Sequence, residues 1–372
     1  MSSALNIASL PQIGLGCMGL GGRFEKDDQN DSDAINLIRE AFDMGVRLFD
    51  TAEVYGAGHG EEVLGKAFST DREKAFIASK FSASNAKYDS VIKACNASLK
   101  RLNTDYIDLY QCHWPNVKVP FEETLAALEE LRKAGKIRFA GFSNVTTVQL
   151  REILEKRPSQ LSVCSVQQDY SLIERFVERK VLPYCGDNAL AMIAYSPLGQ
   201  GKMVLKGNRL EVLNALAQKY NVSIYAIMLS FVTYKNFVFA IPMTSSLAHL
   251  RSNWEALGVA LKQEEYDALS KAFAPNIQDI DVDCINVLAS HSGKAFNTRQ
   301  EAQDNILNMS PSPKELAQEL QGGEILKPVK VKPVKGCDGK FDLYEGQLRY
   351  WAWVIAHDGQ KPIPALIEDK KL

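Results

Sequence analysis

From Ile13 to about Gly258 the chain alternates short, almost continuously apolar runs with longer amphipathic ones, and this alternation narrows its fold more than any other feature. VRLFDTA (46–52) gives way to EEVLGKAF, AFIASKF (75–81) to YDSVIKACNASLKRL, and YIDLYQCHW (106–114) to PFEETLAALEELRKAGK. IRFAGFS (137–143), SVCSVQQDYS (162–171), LAMIAYSP (190–197) and VFAIPM (238–243) continue the order, each trailed by a helix-like stretch. In PFEETLAALEELRKAGK the residues Leu125, Leu128 and Leu131 recur at helical spacing, Pro120 opens the turn and Gly135 closes it. Strands apolar on both faces belong to a parallel sheet covered on both sides. About eight such units predict an α/β fold whose sheet closes into a (β/α)8 TIM barrel.

A barrel of this kind takes roughly 250 residues. The chain has 372, so a second, smaller domain is expected, with 1–274 as the barrel and 275–372 as the remainder. Hydrophobic residues make up 46 % and charged residues 24 %, with a formal net charge of -2. This is a soluble globular composition without the field that would gather nucleic acid. The seven cysteines (Cys17, Cys95, Cys112, Cys164, Cys185, Cys284 and Cys337) are an odd number with no CxxC pair. Set mostly among apolar residues, they read as reduced thiols and argue against structural zinc. MSSALNIASLPQ shows no basic stretch followed by an apolar core, and no segment approaches the roughly 20 apolar residues of a membrane span. A cytoplasmic protein is the expectation.

In such a barrel, functional groups gather at the C-terminal ends of the strands. Asp50 in FDTAEVYG, Lys80 in ASKF and His113 in YQCHW each fall at or just beyond such an end, and Tyr55 lies in the loop after the second unit. A free phenol has a pKa of about 10, too high for an efficient proton donor near neutrality. A neighbouring ammonium favours the phenolate and is expected to lower that value. Lys80 can supply the charge, Asp50 can hold the lysine charged and oriented, and His113 can hydrogen-bond a carbonyl oxygen as negative charge develops on it. That set suits carbonyl reduction by hydride transfer. Cys112 adjoins His113, but neighbours on a strand point to opposite faces, so the thiol is expected in the core.

At these residues the chain resembles the aldo-keto reductase family, over roughly residues 9–258. The matching stretches are LPQIGLGCMGLGG, FDTAEVYG, the lysine of ASKF, LYQCHWP, GFSN, VQQDYSL, AYSPLGQG and IPMTSSLAHLRSN. The resemblance implies a (β/α)8 barrel that binds NADP(H) without a Rossmann domain, with Tyr55 as general acid and base and Asp50, Lys80 and His113 beside it. It implies that Ser143, Asn144 and Gln167 hold the nicotinamide carboxamide and that Tyr195 stacks on the ring. Ser196, Leu198 and Gly199 would approach the pyrophosphate, while Gly16, Cys17 and Met18 would line the site along with Asp50. The partner it implies is a small-molecule aldehyde or ketone.

Gly14, Gly16 and Gly19 also spell GxGxxG, the dinucleotide fingerprint of another fold. An acidic, polar stretch (GGRFEKDDQNDSD) follows them instead of a helix, so a short hairpin or turn at the barrel entrance is expected. Two departures from the family stand out. In many NADPH-preferring relatives the last strand leads to a lysine and then an arginine that bind the 2′-phosphate; here Met243 and His249 take those places. Thr244, Ser245, Ser246, His249 and Asn253 are left as contacts for the adenosine end, without fixed charge, so NADP(H) is favoured and NAD(H) stays open. The connection KMVLKGNR is short, which implies a more exposed cofactor than in relatives with a long loop there.

Beyond LGVALKQEEYDALSKAF the composition changes. SPKELAQEL carries a serine-capped helix signal, EILKPVKVKPVKG and KFDLYEG are strand-like, and LRYWAWVIAHDG reads as a helix closing at glycine before IPALI. The order resembles the small α+β ParB and sulfiredoxin-like fold, through KELAQELQGGEILKPVKV, LYEGQLRYWAW and IPALI. A glycine turn at a helix start presents N–H groups to a phosphate, so Glu345, Gly346 and Arg349 are a candidate nucleotide or phosphate site. Gln347 stands where sulfiredoxins carry a reactive cysteine, against that chemistry. Lys330, Lys332 and Lys335 read as guards on an edge strand rather than a DNA-binding stripe, and Trp351 and Trp353 as packing residues. A second functional reading treats the cofactor-bound barrel as a redox sensor that controls nucleotide or nucleic-acid binding by this module.

Overall fold

The computed structural model describes residues 6–201, 203–287, 295–309 and 311–367. They form two compact units, Met1–Phe273 and Ala274–Leu372. In the first, eight strands among the described residues pair in sequence order: β1 Leu15–Gly16, β2 Leu48–Asp50, β3 Phe76–Phe81, β4 Ile107–Cys112, β5 Ile137–Ser143, β6 Val163–Asp169, β7 Ala191–Tyr195 and β8 Val238–Ala240. Every pairing is parallel. Parallel bridges Ile13 to Ala240 and Gly16 to Met243 join the two edge strands and curl the sheet into the barrel that the alternation predicts. Gly14 and Gly16 therefore serve the seam: their N–H groups donate to the Ala240 and Pro242 carbonyls at 2.8 and 3.1 Å. The GxGxxG spelling continues into a turn bridging Gly19 and Gly22, as expected.

Ten helices surround the sheet: α1 Asp31–Met44, α2 His59–Ala67, α3 Tyr88–Leu102, α4 Phe121–Lys133, α5 Thr147–Lys156, α6 Val181–Asp187, α7 Gly207–Tyr220, α8 Ile224–Val232, α9 Leu247–Trp254 and α10 Gln263–Ala272, counted among the described residues. Strands β2 to β8 feed two cores. Leu48, Phe76, Leu109, Ile193 and Phe239 fill the barrel's inside, closed at its base by Ile7 and Leu10. Phe49, Ile77, Tyr110, Phe142 and Met192 pack outward under the helices. This two-sided burial is the reason the strands read as unbroken apolar runs.

The second unit has its own core, formed by Ile280, Val282, Ile285, Val329, Val331, Leu343, Trp351 and Ile363 among others. Its elements are β9 Ile277–Ile280, β10 Ile285–Val287, α11 Arg299–Gln303, α12 Pro313–Gln321, β11 Val329–Pro333, β12 Phe341–Glu345, α13 Gln347–Ala356 and β13 Ile363–Ile367. The sheet order is β10-β12-β11-β13-β9. The sequence reading missed β9, β10 and α11, and that omission misplaces the lysines. β11 is the middle strand, not an edge, so Lys330 and Lys332 cannot be guards. Val329 and Val331 face the core instead, Lys330 pairs with Glu345 at 2.7 Å, and Lys332 lies over the Tyr344 ring. Ser312 caps α12 through a reciprocal box with Glu315.

Gly65 shows how tightly α2 is seated on α3. A Cβ there would lie 2.5 Å from the Leu102 carbonyl oxygen and 2.9 Å from its Cα, which are backbone atoms that cannot step aside. Alanine normally favours a helix over glycine by about 1 kcal/mol, while overpacking costs about 1–3 kcal/mol. Gly65→Ala is expected to lower barrel stability by about 1–2 kcal/mol, against the propensity rule. A shift of the barrel's urea transition to lower concentration checks this; a stabilised barrel would refute the packing argument.

Candidate active site

Asp50 ends β2, Lys80 sits one residue before the end of β3, and His113 follows β4 directly, so three strand ends aim into one mouth. Lys80 is fully buried. Its Nζ donates to Asp50 Oδ1 at 2.5 Å and to the Thr51 carbonyl at 2.8 Å. Gln167 Nε2, from β6, donates to Asp50 Oδ2 at 2.8 Å, so the carboxylate is held at both oxygens. Tyr55 comes from the turn between β2 and α2, so it lies inside the second strand–helix repeat of the barrel rather than after it. The Lys80 Nζ lies 5.2 Å from its ring centroid, and the His113 ring meets it edge to face at 5.8 Å. All four residues come together.

The electrostatics correct one expectation. Burial pushes the Tyr55 phenol up and outweighs the downward pull of Lys80, so the hydroxyl stays above its ordinary value. The ammonium is present, but the apolar wall is the larger effect. Burial alone would lower Lys80, yet the Asp50 charge reverses this and the amine is held above its usual range. Burial, reinforced by Lys80, pushes His113 down to about 3. Its ring is therefore neutral across the physiological range, able to donate an N–H bond without contributing charge. Burial lifts the Cys112 thiol to about 12; its Sγ faces the Trp114 carbonyl, and it packs in the outer core as expected.

Around this group, Ser143 at the end of β5 donates from Oγ to the Gln167 carbonyl at 3.1 Å. Asn144 takes a left-handed backbone (φ 61°) and donates from Nδ2 to the His113 carbonyl at 2.9 Å, while its Oδ1 accepts from the Tyr195 hydroxyl at 2.8 Å. Tyr195 ends β7 and lies against the inner core. Ser196, Leu198 and Gly199 follow in a turn where Ser196 and Gly199 both have positive φ and the Gly199 N–H donates to the Ser196 carbonyl. Beyond β8, Thr244 and Asn253 are buried, Ser246 caps α9, and Met243, Ser245 and His249 are exposed. The Cys17 thiol packs in the outer core, and its N–H donates to the Asp50 carbonyl at 2.8 Å. Gly16 and Met18 flank it, and Gly16 is held in the β1–β8 seam. No helix among the described residues is long and apolar enough to cross a membrane, and none of their His, Cys, Asp and Glu clusters could hold a metal ion.

In the second unit, Gly346 has φ 101° and opens α13, as the sequence reading expects. Arg349 is already engaged: Nη1 donates to the Lys327 and Pro328 carbonyls at 2.9 and 2.7 Å, and Nη2 lies 3.4 Å from Glu345. A Cβ at Gly346 would sit 2.9 Å from Arg349 Nη2. The glycine thus makes room for the arginine.

One buried residue escaped the sequence reading. His59, which directly follows Gly58 at the start of α2, is 4 % exposed and lies between Asp31 and Glu62 at 2.7 Å from each. The HGEE spelling, with histidine and glutamate three apart at a helix start, was the available signal.

This arrangement of a buried lysine-carboxylate pair, a phenol and a neutral imidazole at the mouth of a parallel barrel defines an oxidoreductase of the NAD(P)H-dependent kind. Residues 12–274 match the model of the aldo/keto reductase family, and the chain belongs to that family. It is 37 % identical over 266 residues to the methylglyoxal reductase YeaE of Escherichia coli, covering 71 % of this chain and 92 % of that one. It is 31 % identical over 298 residues to a probable aldo-keto reductase of Glycine max, covering 70 % and 85 %. Among solved structures, the thermostable aldo-keto reductase Tm1743 bound to the inhibitor epalrestat superposes with a TM-score of 0.67 at 37 % identity, over 71 % of this chain and 95 % of that one. An aldo/keto reductase of Klebsiella pneumoniae, solved with NADP and acetate, gives 0.66 at 32 % identity, over 72 % and 92 %.

Because the depressed His113 binds protons more weakly folded than unfolded, the sign of its linkage follows: it costs stability only as pH falls below about 6.5, the unfolded value. Between pH 5 and 8 its ring resonances in a ¹H–¹⁵N NMR titration are expected to stay fixed in the neutral form. A midpoint near the ordinary histidine value would show the ring to be solvated.

Proposed function

We propose that this protein reduces an aldehyde or ketone to the alcohol, with NADP(H) as the favoured hydride source and Tyr55 as the general acid. The observation that carries this reading is the Asp50–Lys80 pair set beneath the Tyr55 ring with neutral His113 at its edge. A phenol kept protonated by burial is ready to donate at neutral pH. Once it has donated, the adjoining ammonium stabilises the phenolate, so Lys80 acts most strongly after the proton has moved. His113 directs its N–H at the carbonyl oxygen and polarises it. Asp50 and Gln167 keep Lys80 in place.

The donor set fits a nicotinamide dinucleotide. Tyr195 offers a ring face, held by its bond to Asn144, and Ser143, Asn144 and Gln167 gather hydroxyl and amide groups beside it for a carboxamide. Ser196, Leu198 and Gly199 are assigned to the pyrophosphate, and Thr244, Ser245, Ser246, His249 and Asn253 to the adenosine end. When bound, the reduced nicotinamide supplies hydride to the carbonyl carbon. NADP and NADPH are the ligands named for the Klebsiella pneumoniae structures, and methylglyoxal reduction is the activity named for the Escherichia coli relative. A small reactive carbonyl is accordingly the first substrate to try. The exposed Met243 and His249, which supply no fixed positive charge, keep NAD(H) within reach. For the second unit, the ParB and sulfiredoxin-like likeness and a phosphate at Glu345, Gly346 and Arg349 are retained as a proposal, weakened by the carbonyls that already occupy Arg349.

Tyr55→Phe removes the transferable proton and leaves the cofactor groups untouched. Turnover of methylglyoxal with NADPH is expected to fall by about 10²–10⁴-fold, the usual worth of a general acid, while fluorescence titration with NADPH gives a dissociation constant within about twofold of native. Full activity in the variant would end the assignment of Tyr55.

A further inference from the structure

Tyr55 opens a turn whose next three residues all have left-handed backbone: Gly56 (φ 58°), Ala57 (φ 53°) and Gly58 (φ 96°). Ala57 carries a Cβ in a region that L-residues disfavour, and such a turn persists only where its surroundings impose it. The β1–α1 loop supplies part of the restraint. The Gly56 N–H donates to the Arg23 carbonyl at 3.3 Å, and a Cβ at Gly56 would meet the Gly21 carbonyl oxygen at 2.2 Å. The remainder comes from His59. Its backbone N–H donates to the carbonyls of Tyr55 and Gly56, so it holds the catalytic turn directly.

Its side chain is anchored in turn. Nε2 lies 2.7 Å from Asp31 Oδ1, at the first residue of α1, and Nδ1 lies 2.7 Å from Glu62 Oε2 on α2. Lys66 Nζ holds the other Asp31 oxygen at 3.0 Å. Burial alone would raise the Asp31 carboxyl, yet hydrogen bonds from Lys66 and His59 keep it below the usual carboxylate range. The ring thus meets a carboxylate oxygen at each of its two nitrogens, one from α1 and one from α2. The ring joins positions 28 residues apart in sequence at the foot of the Tyr55 turn.

We infer that His59 is a positioning residue for Tyr55, a clasp between α1 and α2 that holds the strained turn in the geometry of proton transfer. This rests on the reductase reading above. His59 touches neither substrate nor the reacting atoms; it acts through the carbonyl of Tyr55 and the turn glycines.

The test is His59→Gln, which can satisfy at most part of the pair. Kinetics with methylglyoxal and NADPH are read together with hydrogen exchange over residues 19–31 and 54–60. A small displacement of a catalytic group is costly, so kcat is expected to fall about tenfold while KM and the NADPH dissociation constant stay within about twofold. Exchange in both segments should quicken while the barrel strands stay protected. Native kcat with unchanged exchange would overturn the clasp. Should His59→Gln fail to fold, Glu62→Ala, at a half-exposed position, removes the Nδ1 partner only; a kcat loss of about threefold in the same direction supports the proposal, and no loss overturns it. A native protein without reductase activity would instead remove the reductase reading and the role in catalysis with it, and exchange in the variants would still decide whether His59 clasps the turn.

Discussion

The ion pair between Asp50 and Lys80 is the constraint around which the upper barrel is arranged. Taking a carboxylate and an ammonium out of water costs several kcal/mol for each ion, and their attraction repays this only when the remaining hydrogen-bonding capacity is filled. Lys80 is fully buried, and the Thr51 carbonyl takes a second of its protons. Gln167, reaching from the far side of the sheet, fills the second Asp50 oxygen. Those three partners stand on strands or strand ends whose register cannot slip by one residue without sending every side chain to the opposite face. Closure of β8 onto β1 through Gly14 and Gly16 completes the wall that keeps water from the pair.

From that pair the protonation of the site follows. One buried cation beside a phenol and a half-buried imidazole acts on each according to the charge it would carry. It opposes a second positive charge on His113, so the imidazole is neutral. It favours a negative charge on Tyr55, but burial dominates and the phenol keeps its proton until something takes it. The sequence argument placed the lysine's benefit in the resting state, as a lowered phenol pKa. Under the proposed role of Tyr55 as general acid, that benefit moves to the charged state that follows proton transfer, since only an interaction stronger in the transition state than in the ground state speeds a reaction.

The barrel and the four central residues were legible because both depend on local pattern. Two-sided burial writes itself as apolar runs, and the span read for β5, 137–143, coincides with the strand observed. Asp50, Lys80 and His113 could be placed because a run's end is visible. What escaped depends on pairing across the chain. His59 is defined by Asp31, which lies 28 residues away. Gly141 looks like an ordinary strand glycine, yet a Cβ there would fall 2.5 Å from Ser165 Oγ and 3.0 Å from Gln111 Cγ, so its smallness serves side chains on two neighbouring strands. The short strands β9 and β10 carry too few apolar residues to show a period, and without them β11 seemed an edge.

The same limit separates the two meanings of the Gly346 and Arg349 spelling. A glycine before a helix with an arginine in its first turn is compatible with an anion cradle, and equally with a guanidinium that folds back over the glycine to satisfy the chain beside it. The second arrangement needs carbonyls within reach of the guanidinium, and the segment entering β11 provides them at Lys327 and Pro328. Glu345 then balances the arginine while also receiving Lys330, so the charges in this corner close on one another. An arriving phosphate would compete with two carbonyls and a carboxylate for the same fork of donors. Since a guanidinium binds anions well only when its planar fork is presented, the turn is better suited to holding β11, β12 and α13 together than to capturing a ligand, and the glycine is called for by its left-handed backbone, φ 101°, without any ligand.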